Sequence, residues 1–389
     1  TYNEAVSPYE NSGLPLVQFF NVGHDMDEPF RVYGSVQDHG SFRGAVDLSQ
    51  GRHAIPVQEW ERAPGGEGST HQVDPTDPAI VYSAGFYGNI SRTNMETGES
   101  TNIMPEKEEG EPPFRGQWIA PFLISPHNSS VVYHGLNFLF RTDDRGDSWE
   151  RISPDLTYNE LDKIGDIPYQ TIYSISESPL KFGLVYVGTD DGRVWVTESA
   201  GTEGGWAEFT GELPQGKVIA ELVASAHDLN TVYSVQNGKR DDDFVPYLWK
   251  STDRGTTWRP LEGIPSGPIN VIKEDPKNPN VLYVGSEDEV LFRTRMGSPL
   301  VLTRAHFPGG RIVDIVLDPD DWMTAFVMDR DRVYVTTDAG DTWSDITGDL
   351  ADAGAQELRS IELVEAGVTD GIVVGTNTGT FVTLTSALG

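Results

Sequence analysis

The sequence predicts an all-β fold, a single β-propeller of eight four-stranded blades, with seven blades as the alternative count. Two observations support it: a unit of about fifty residues recurs along the chain, and each copy contains segments that alternate apolar and polar residues. The 41 glycines and 25 prolines fit many short strands joined by tight turns. No helical-period segment of useful length competes with this interpretation.

The first half of each unit is an apolar strand, a turn rich in Pro, Asp or Asn, and a second strand centred on an aromatic residue and ending in Gly or Ser. Clear copies lie at 71–85, 122–135, 174–188 and 271–285. The equivalent central residues are Tyr33, Tyr82, Tyr133, Tyr186, Tyr233, Tyr283, Phe326 and Val373, at intervals of 49, 51, 53, 47, 50, 43 and 47 residues. Because repeat folds add one small sheet at a time, all 389 residues can form one domain.

The second half of each unit supplies two more strands. The third strand alternates strongly, as at 138–142 and 193–197, and the fourth is often opened by Trp, as at 148–152. Four antiparallel strands per unit make one propeller blade. The predicted repeats lie near 15–63, 68–105, 117–154, 171–214, 218–265, 269–308, 311–350 and 358–389.

Three turns between third and fourth strands, at 142–149, 251–258 and 336–343, share the pattern Ser/Thr-x-Asp-x-Gly-x-Ser/Thr-Trp. A short Asp side chain accepts hydrogen bonds from the N–H groups of its own turn, and Gly supplies a positive φ. We therefore expect a structural role for these residues, with the Trp locking the hairpin onto the next blade. The set is Asp144, Gly146, Trp149, Asp253, Gly255, Trp258, Asp338, Gly340 and Trp343. A decayed copy at 197–206 has Ser199 at the Asp position.

These turns resemble the Asp-box (BNR) repeats of sialidases, two-propeller xyloglucanases, photosystem assembly propellers and sortilin-type domains. The similarity to microbial sortilin-like or glycosyl-hydrolase-like secreted propellers runs through 118–157, 185–197 and 241–258. The resemblance implies an extracellular or cell-surface location, and we expect a signal peptide to have been removed before Thr1. The early Phe/Tyr-Arg-Ile-Pro motif of sialidases is absent. Xyloglucanase-type hydrolysis uses a cleft between two propellers, which one propeller lacks.

We therefore expect a secreted, non-catalytic propeller that serves as a binding or structural module, in an extracellular or cell-surface assembly. The alternative is a carbohydrate-active enzyme, a glycoside hydrolase or lyase, with acidic residues at the mouth of the channel. Capture of a peptide in the channel is a third reading. A protein or carbohydrate ligand at a loop face is the expected partner, because fold alone does not define function.

Composition excludes several classes of protein. The net charge is −32, so no basic stripe exists for nucleic acid or an anionic membrane to follow. No apolar run reaches the roughly 20 residues needed for membrane insertion. The chain has no cysteine, which excludes disulfides and thiolate chemistry. Neither a paired-histidine zinc motif nor a phosphate-binding glycine loop is present.

The loops between second and third strands are expected to gather at one mouth of the channel, where they would form an acidic rim. Its carboxylates are Asp38, Asp190, Asp191, Asp241, Asp242, Asp243, Glu287, Asp288, Asp329 and Asp331. Carboxylate oxygens suit Ca²⁺, and the candidate ligands are Asp190, Asp191, Asp241, Asp242, Asp243 and Asp288. Asp is also an ordinary turn former, so no cofactor is required.

Three further features concern the surface. Asn89 and Asn128 begin sequons in predicted loops and are candidate glycosylation sites. The long connections 63–71, 104–117 and 153–170 are expected to build one face and offer a surface to partners. Residues 1–14 contain a segment that can supply the missing fourth strand of the last blade, either in cis or in a neighbouring subunit by strand addition.

Overall fold

The computed structural model describes residues 19–27, 29–45, 60–163, 169–200, 205–261, 263, 267–286, 291–294, 302–304, 306–364, 371–376 and 379–384. Within them the fold is a single all-β propeller, which confirms the predicted class. Seven sheets have four strands, which is the number of blades in the alternative prediction. An eighth sheet has three described strands. Residues 1–14, which were expected to complete that sheet, lie outside the described part of the chain.

Each sheet is antiparallel, with its strands in chain order. The first three blades contain β1 (Phe19–His24), β2 (Arg31–Val36), β3 (Gly40–Ala45), β4 (Glu61–Arg62); β5 (Thr70–Asp74), β6 (Asp77–Ala84), β7 (Ile90–Asn94), β8 (Ser100–Asn102); and β9 (Phe122–Ser125), β10 (Asn128–Gly135), β11 (Leu139–Thr142), β12 (Glu150–Arg151). Blades four and five contain β13 (Ile172–Glu177), β14 (Val185–Thr189), β15 (Val194–Thr197), β16 (Trp206–Glu208); and β17 (Val218–Ala224), β18 (Val232–Gly238), β19 (Asp243–Ser251), β20 (Arg259–Pro260).

The remaining blades follow the same order. They contain β21 (Ile269–Glu274), β22 (Leu282–Ser286), β23 (Leu291–Thr294), β24 (Leu302–Arg304); β25 (Asp314–Leu317), β26 (Ala325–Met328), β27 (Val333–Thr336), β28 (Ser344–Asp345); and β29 (Leu358–Val364), β30 (Gly371–Thr376), β31 (Gly379–Leu384). The described helices are three short 3₁₀ turns, at Phe86–Gly88, Leu161–Lys163 and Lys239–Asp241.

The core lies between neighbouring sheets, and the central residue of each second strand is its anchor. All eight of these residues, from Tyr33 to Val373, lie on second strands and are at most 2% exposed. Apolar residues of the adjoining blade surround them, as where Tyr186 packs with Ile219 and Leu222. Burying a large apolar side chain stabilises a fold by roughly 1.5–3 kcal/mol, so one such residue per blade is a large share of the packing energy.

The Asp-containing turns between third and fourth strands are closed by side-chain hydrogen bonds. Asp144 accepts from the Thr142 hydroxyl at 2.6 Å, from the Ser148 amide at 2.9 Å and from the Ser148 hydroxyl at 2.6 Å. Gly146 has a φ of 94°. Asp253 and Asp338 make equivalent bonds in their own turns. Those bonds lower the pKa of Asp144 to about 2.

The tryptophans that follow these turns bind to the preceding blade, whereas the sequence suggested the next one. Trp258 of blade five donates its indole N–H to the Phe209 carbonyl at 2.7 Å, beyond the last strand of blade four. Trp149 makes the same bond to Ile103, and Trp206 to Ile152 at 2.6 Å. The fourth strand is the outermost strand of its blade. The Trp at its start bonds the backbone just after the fourth strand of the preceding blade. Each such indole therefore joins consecutive blades.

The last blade packs directly on the first, which completes the ring. Phe30 and Val32 of the first blade share a buried cluster with Val364 and Val373 of the last. The first strand of each sheet is its inner strand and lines the central channel, and first strands of neighbouring blades adjoin one another, as β13 and β17 do. Because the strands alternate in direction, loops between second and third strands share one face with the connections between blades. We call this the upper face.

Candidate active site

The candidate site lies on the upper face, where four segments converge on Asp190. They are the turn 189–192, the connection 104–121, the described residues 153–163 and 169–171 of the next connection, and the hairpin 238–243. Asp190 is 1% exposed although it sits in a turn at the mouth of the channel. The long connections place polar and aromatic groups over a carboxylate that the turn alone would leave in solvent.

Four donors surround the Asp190 carboxylate. The Thr171 amide donates to Oδ1 at 2.8 Å, and the Thr171 hydroxyl donates to Oδ2 at 3.0 Å. The Gln117 side-chain amide donates to Oδ2 at 3.3 Å, and the Arg240 guanidinium lies 3.6 Å from the same oxygen. The turn of blade four is thereby joined to the connections before blades three and four and to the hairpin of blade five.

Burial dominates the electrostatics of this carboxyl. Loss of solvent raises the pKa of Asp190 from 3.8 to about 6, against the opposing effects of the Thr171 hydrogen bonds and the Arg240 charge. The neighbouring carboxyl of Asp191 raises it further. Asp190 therefore exchanges a proton near pH 6, where an ordinary aspartate is fully ionised.

Asp191 is the second buried carboxyl of the turn, at 2% exposed. It accepts from the Tyr158 amide at 2.8 Å and from the Thr189 hydroxyl. Burial raises its pKa as well. Since its oxygens are bonded to backbone and to its own turn, Asp191 fixes the position of the connection 153–163.

Aromatic rings and arginines surround the two carboxyls. The Arg240 guanidinium stacks over Tyr169 at 4.9 Å from the ring centre, and that of Arg193 stacks over Tyr158 at 4.9 Å and Trp195 at 4.6 Å. Tyr158 is 45% exposed despite this contact. The upper face thus presents an open aromatic surface beside a protonatable carboxyl.

Gln117 connects Asp190 to a second group of rings. Its side-chain oxygen accepts from the Trp118 amide at 2.6 Å, and its backbone carbonyl accepts from the Tyr87 amide at 3.0 Å. The Trp118 and Tyr87 rings are 5.7 Å apart, and 40% and 36% exposed. Gln117 itself is 7% exposed, so it is an internal link between the carboxyl and the rings.

The hairpin that carries Arg240 is held in place by ion pairs. Lys217 contacts the carboxylates of Asp241 and Asp243, each at 3.0 Å, and the Tyr247 hydroxyl donates to Asp243 at 2.7 Å. Asp242 adopts a φ of 55° at the tip. Two of the predicted metal ligands on this hairpin therefore face a lysine in the structure.

Other predicted rim carboxylates shape their own turns. Asp38 has a φ of 60°, and Asp329 accepts from the backbone amides of Gly310, Asp331 and Arg332 at 2.7–2.8 Å. Glu287 and Asp288 lie outside the described residues. Across the described chain no group of three or more His, Cys, Asp or Glu side chains is placed to hold a metal ion. Calcium binding stays a prediction.

Both sequon asparagines are exposed. Asn89 donates its side-chain amide to the Phe86 carbonyl at 2.9 Å, and Asn128 accepts from the Ser130 amide at 3.0 Å at the start of β10. Each lies on a turn at the surface, and glycosylation of either one stays a prediction.

A separate group of titratable side chains lies in the channel, where the sequence pattern indicated only apolar strands. It comprises Glu221, Lys273, Asp314 and Glu362 on β17, β21, β25 and β29, with His24 on β1. Burial raises the pKa of Glu221 to about 7 and also raises those of Asp314 and Glu362. The Ile361 amide donates to Asp314 at 3.0 Å, which joins the last two blades.

The fold and the site define a β-propeller with a carboxyl and aromatic rings at one mouth, and known proteins share the propeller fold. No protein-family model matches the chain. It is 28% identical over 267 residues to a xyloglucanase of Acetivibrio thermocellus, covering 58% of this chain. The chain spans 30% of the length of the curated relatives it matches.

Two solved structures share the fold. The computationally designed Ika8 protein matches with a TM-score of 0.61 at 15% identity, over 95% of this chain and 98% of that one. A GH74 xyloglucanase from Xanthomonas campestris matches with a TM-score of 0.57 at 19% identity, over 92% of this chain and 58% of that one. The chain is thus a β-propeller similar to GH74 xyloglucanases.

These relatives correct the functional expectation drawn from the sequence. A non-catalytic binding or structural module was expected, and that expectation is wrong, because the curated proteins that match the chain are named as xyloglucanases. The alternative of a carbohydrate-active enzyme agrees with them.

In the part of the chain that the structure describes, no helix is both long and apolar enough to span a bilayer.

Proposed function

We propose that this chain is a carbohydrate-active propeller of the glycoside hydrolase type, which binds a polysaccharide over its upper face and uses Asp190 as the proton donor. The observation that carries the proposal is the Asp190 carboxyl, buried beside the Arg240–Tyr169 stack on a face with exposed aromatic rings, with a pKa raised to about 6. Glycoside hydrolysis needs an acid that holds its proton near neutral pH, and burial is the usual means of providing one.

Access to Asp190 is controlled by Arg240 in this proposal. The Arg240 side chain is 47% exposed, and its 3.6 Å distance to Asp190 is longer than a direct hydrogen bond. A bound sugar hydroxyl can displace the guanidinium, which would then remain stacked on Tyr169. The carboxyl would be free to protonate the glycosidic oxygen as the bond to the leaving sugar breaks.

Glu160 is the candidate for the second carboxyl group that glycoside hydrolysis requires. Its carboxylate is 43% exposed and accepts from the Gln170 side-chain amide at 3.3 Å. Gln170 directly precedes Thr171, which binds Asp190. In this role the Glu160 carboxylate would act as the base or nucleophile of the reaction.

The proposal extends to location and to the repeat type. Polysaccharide substrates lie outside the cell, so we propose an extracellular site of action. The Asp144, Asp253 and Asp338 turns, with their shared bonding, support assignment to the Asp-box (BNR) repeats, as in the secreted sortilin-like propellers they resemble.

The test is hydrolysis of xyloglucan, mixed-linkage β-glucan, carboxymethyl cellulose and starch, followed as release of reducing ends. Asp190→Asn should lower kcat by about 100-fold or more, the usual loss for a general acid. Asp320→Asn is the matched control, because Asp320 is a carboxylate 86% exposed on the opposite face. Absence of turnover on every β-linked polymer, or equal rates for Asp190→Asn and the wild type, would overturn the proposal.

A further inference from the structure

The Phe86–Tyr87–Trp118 cluster, on the upper face, is an exposed aromatic corner. The Phe86 and Trp118 rings are 4.5 Å apart, and the Tyr87 and Trp118 rings meet nearly at right angles, at 83°. Tyr87 and Trp118 are 36% and 40% exposed. Two large apolar rings held open to solvent cost free energy unless a ligand covers them.

The backbone beneath this corner is strained. Tyr87 has a φ of 59° and a ψ of 25°, a left-handed conformation that costs a non-glycine residue about 1 kcal/mol or more. A glycine at 87 would remove that cost, yet the chain carries an aromatic ring there. Strain of this kind persists where the surrounding structure enforces it, and it concentrates at binding sites.

Neighbouring segments are shaped to hold the corner rigid. Gly116 packs so tightly on the Tyr87 carbonyl group that a Cβ atom would overlap it, and Gly68 is equally close to the Phe86 ring. The Tyr87 amide donates to the Gln117 carbonyl at 3.0 Å, and His134 bonds the Gly88 carbonyl at 2.9 Å. The rings are therefore pre-organised, which lowers the entropic cost of binding.

Gln117 places the corner beside Asp190. Its side chain bridges the Trp118 amide and the Asp190 carboxylate at 2.6 and 3.3 Å. A polymer lying on Trp118 therefore continues toward the proposed proton donor. Resting on the proposed function, we infer that Tyr87 and Trp118 form a sugar-binding subsite for a β-linked polysaccharide whose pyranose rings carry equatorial substituents.

The chemistry of the rings selects this class of ligand. A pyranose with equatorial hydroxyls has apolar C–H faces, and one such face can stack on Trp118 while the ring edge meets Tyr87. An α-linked glucan coils and does not present successive rings in one flat ribbon. No charged side chain belongs to the corner, so an acidic or basic polymer gains nothing there.

Binding of cellohexaose and of a xyloglucan oligosaccharide, measured by calorimetry with Asp190→Asn as the parent, tests the subsite without turnover. Trp118→Ala should weaken binding by about tenfold or more, and Tyr87→Gly should do so while keeping the left-handed turn. Phe182→Ala is the control, because Phe182 is 43% exposed on the opposite face. Maltohexaose should bind the parent much more weakly than cellohexaose.

The outcomes separate this inference from the proposed function. Hydrolysis by the wild type, together with parent affinities within about twofold in both Trp118→Ala and Tyr87→Gly, overturns the subsite alone. Equal affinity for maltohexaose and cellohexaose overturns the ligand class. Failure of the parent to bind any glycan, with no turnover in the wild type, overturns both proposals.

Discussion

Asp190 shows how a residue type that is ordinary in turns becomes chemically distinct through its surroundings. The Thr-Asp-Asp-Gly turn at 189–192 needs an acidic residue only to satisfy its own backbone. Here the Asp190 carboxylate instead accepts hydrogen bonds from Thr171 and Gln117 and lies 3.6 Å from the Arg240 guanidinium, and these residues come from three other segments. The resulting burial disfavours the ionised form of Asp190. Such an unfavourable environment for a charged group is common at catalytic sites.

The stability of the protein should report this cost. Because the folded-state pKa of Asp190 is about 6 and its ordinary value is 3.8, the folded state binds the proton more tightly. That stabilisation is fully present below pH 3.8 and is lost as the pH rises through 6. Asp190→Asn removes this pH dependence of stability. The free energy of unfolding of the variant, minus that of the wild type, should therefore increase by about 3 kcal/mol between about pH 4 and pH 7.

Urea unfolding at a series of pH values measures this gain. Asp320→Asn provides the baseline, since Asp320 is largely in solvent and pairs only at the surface with Lys277. Parallel curves for Asp190→Asn and the wild type across that range would show that Asp190 stays ionised, which contradicts the proposed proton-donor role.

At the scale of the blade, glycine at the end of the second strand decides how closely sheets approach. Gly188 follows Tyr186 by two residues and faces Ile219 of the next blade, and Gly135 and Gly285 face Ile172 and Ile312 in the same way. A Cβ atom at any of the three would overlap the facing isoleucine. The aromatic-x-Gly ending of the repeat is therefore a packing device, since it admits a branched side chain from the neighbouring sheet.

Gly188→Ala should destabilise the protein by about 1–3 kcal/mol, because overpacking displaces Ile219. The φ of Gly188 is not positive, so alanine suffers no backbone strain there. Gly66→Ala is the control, because nothing lies within 4 Å of that position. Chemical unfolding measures both variants. Ile219→Ala removes the Cγ2 atom nearest to the added Cβ, so the double variant should lose less stability than the sum of the two single losses, and strict additivity would place the clash elsewhere.

The strands were predictable because their signals are local. Alternation, Trp openings and the central aromatic residues each depend on neighbours in sequence, and the structure has strands there. The loop expected to carry Asp241, Asp242 and Asp243 is shorter in the structure, because β18 continues to Gly238 and pairs with Asp243 at the start of β19. Hydrogen bonding across the hairpin extended both strands through polar residues, which carry no alternating pattern.

The site was predictable only in part, because its contacts are distant in sequence. Asp190 and Asp191 were recognised as rim acids from their turn, but Gln117 lies 73 residues from Asp190 and carries no local signal. The roles of Arg240 and Tyr169 likewise depend on their contacts with each other and with Asp190, which no local sequence pattern indicates. Which connection covers which turn depends on the ring geometry, and the lengths of 104–117 and 153–170 were the available clue.

At the scale of the molecule, the ring replaces a single large core. Each blade contacts two neighbours, and a linear stack of this kind would leave two open ends that fray. Packing of the last blade on the first removes those ends. The net charge of −32 opposes compaction by self-repulsion, so the closing contact has to hold against it. Cooperativity of the whole propeller should therefore depend on a small number of residues at that junction.

Substitution of Phe30 tests whether packing of the last blade on the first stabilises the whole propeller. It is 4% exposed, sits in the first blade, and packs in one cluster with Val364 and Val373 of the last blade. Phe30→Ala should cost about 3–5 kcal/mol, as for other buried aromatic residues. Phe20→Ala is the control from the same blade, since Phe20 is 43% exposed and should change stability by less than about 0.5 kcal/mol. Tryptophan fluorescence and far-ultraviolet circular dichroism should report one shared, lowered transition, because the nine tryptophans are spread along the chain from Trp60 to Trp343. If Phe30→Ala instead loosens the first blade while the other transitions keep their midpoints, the blades unfold independently and closure does not hold the molecule together.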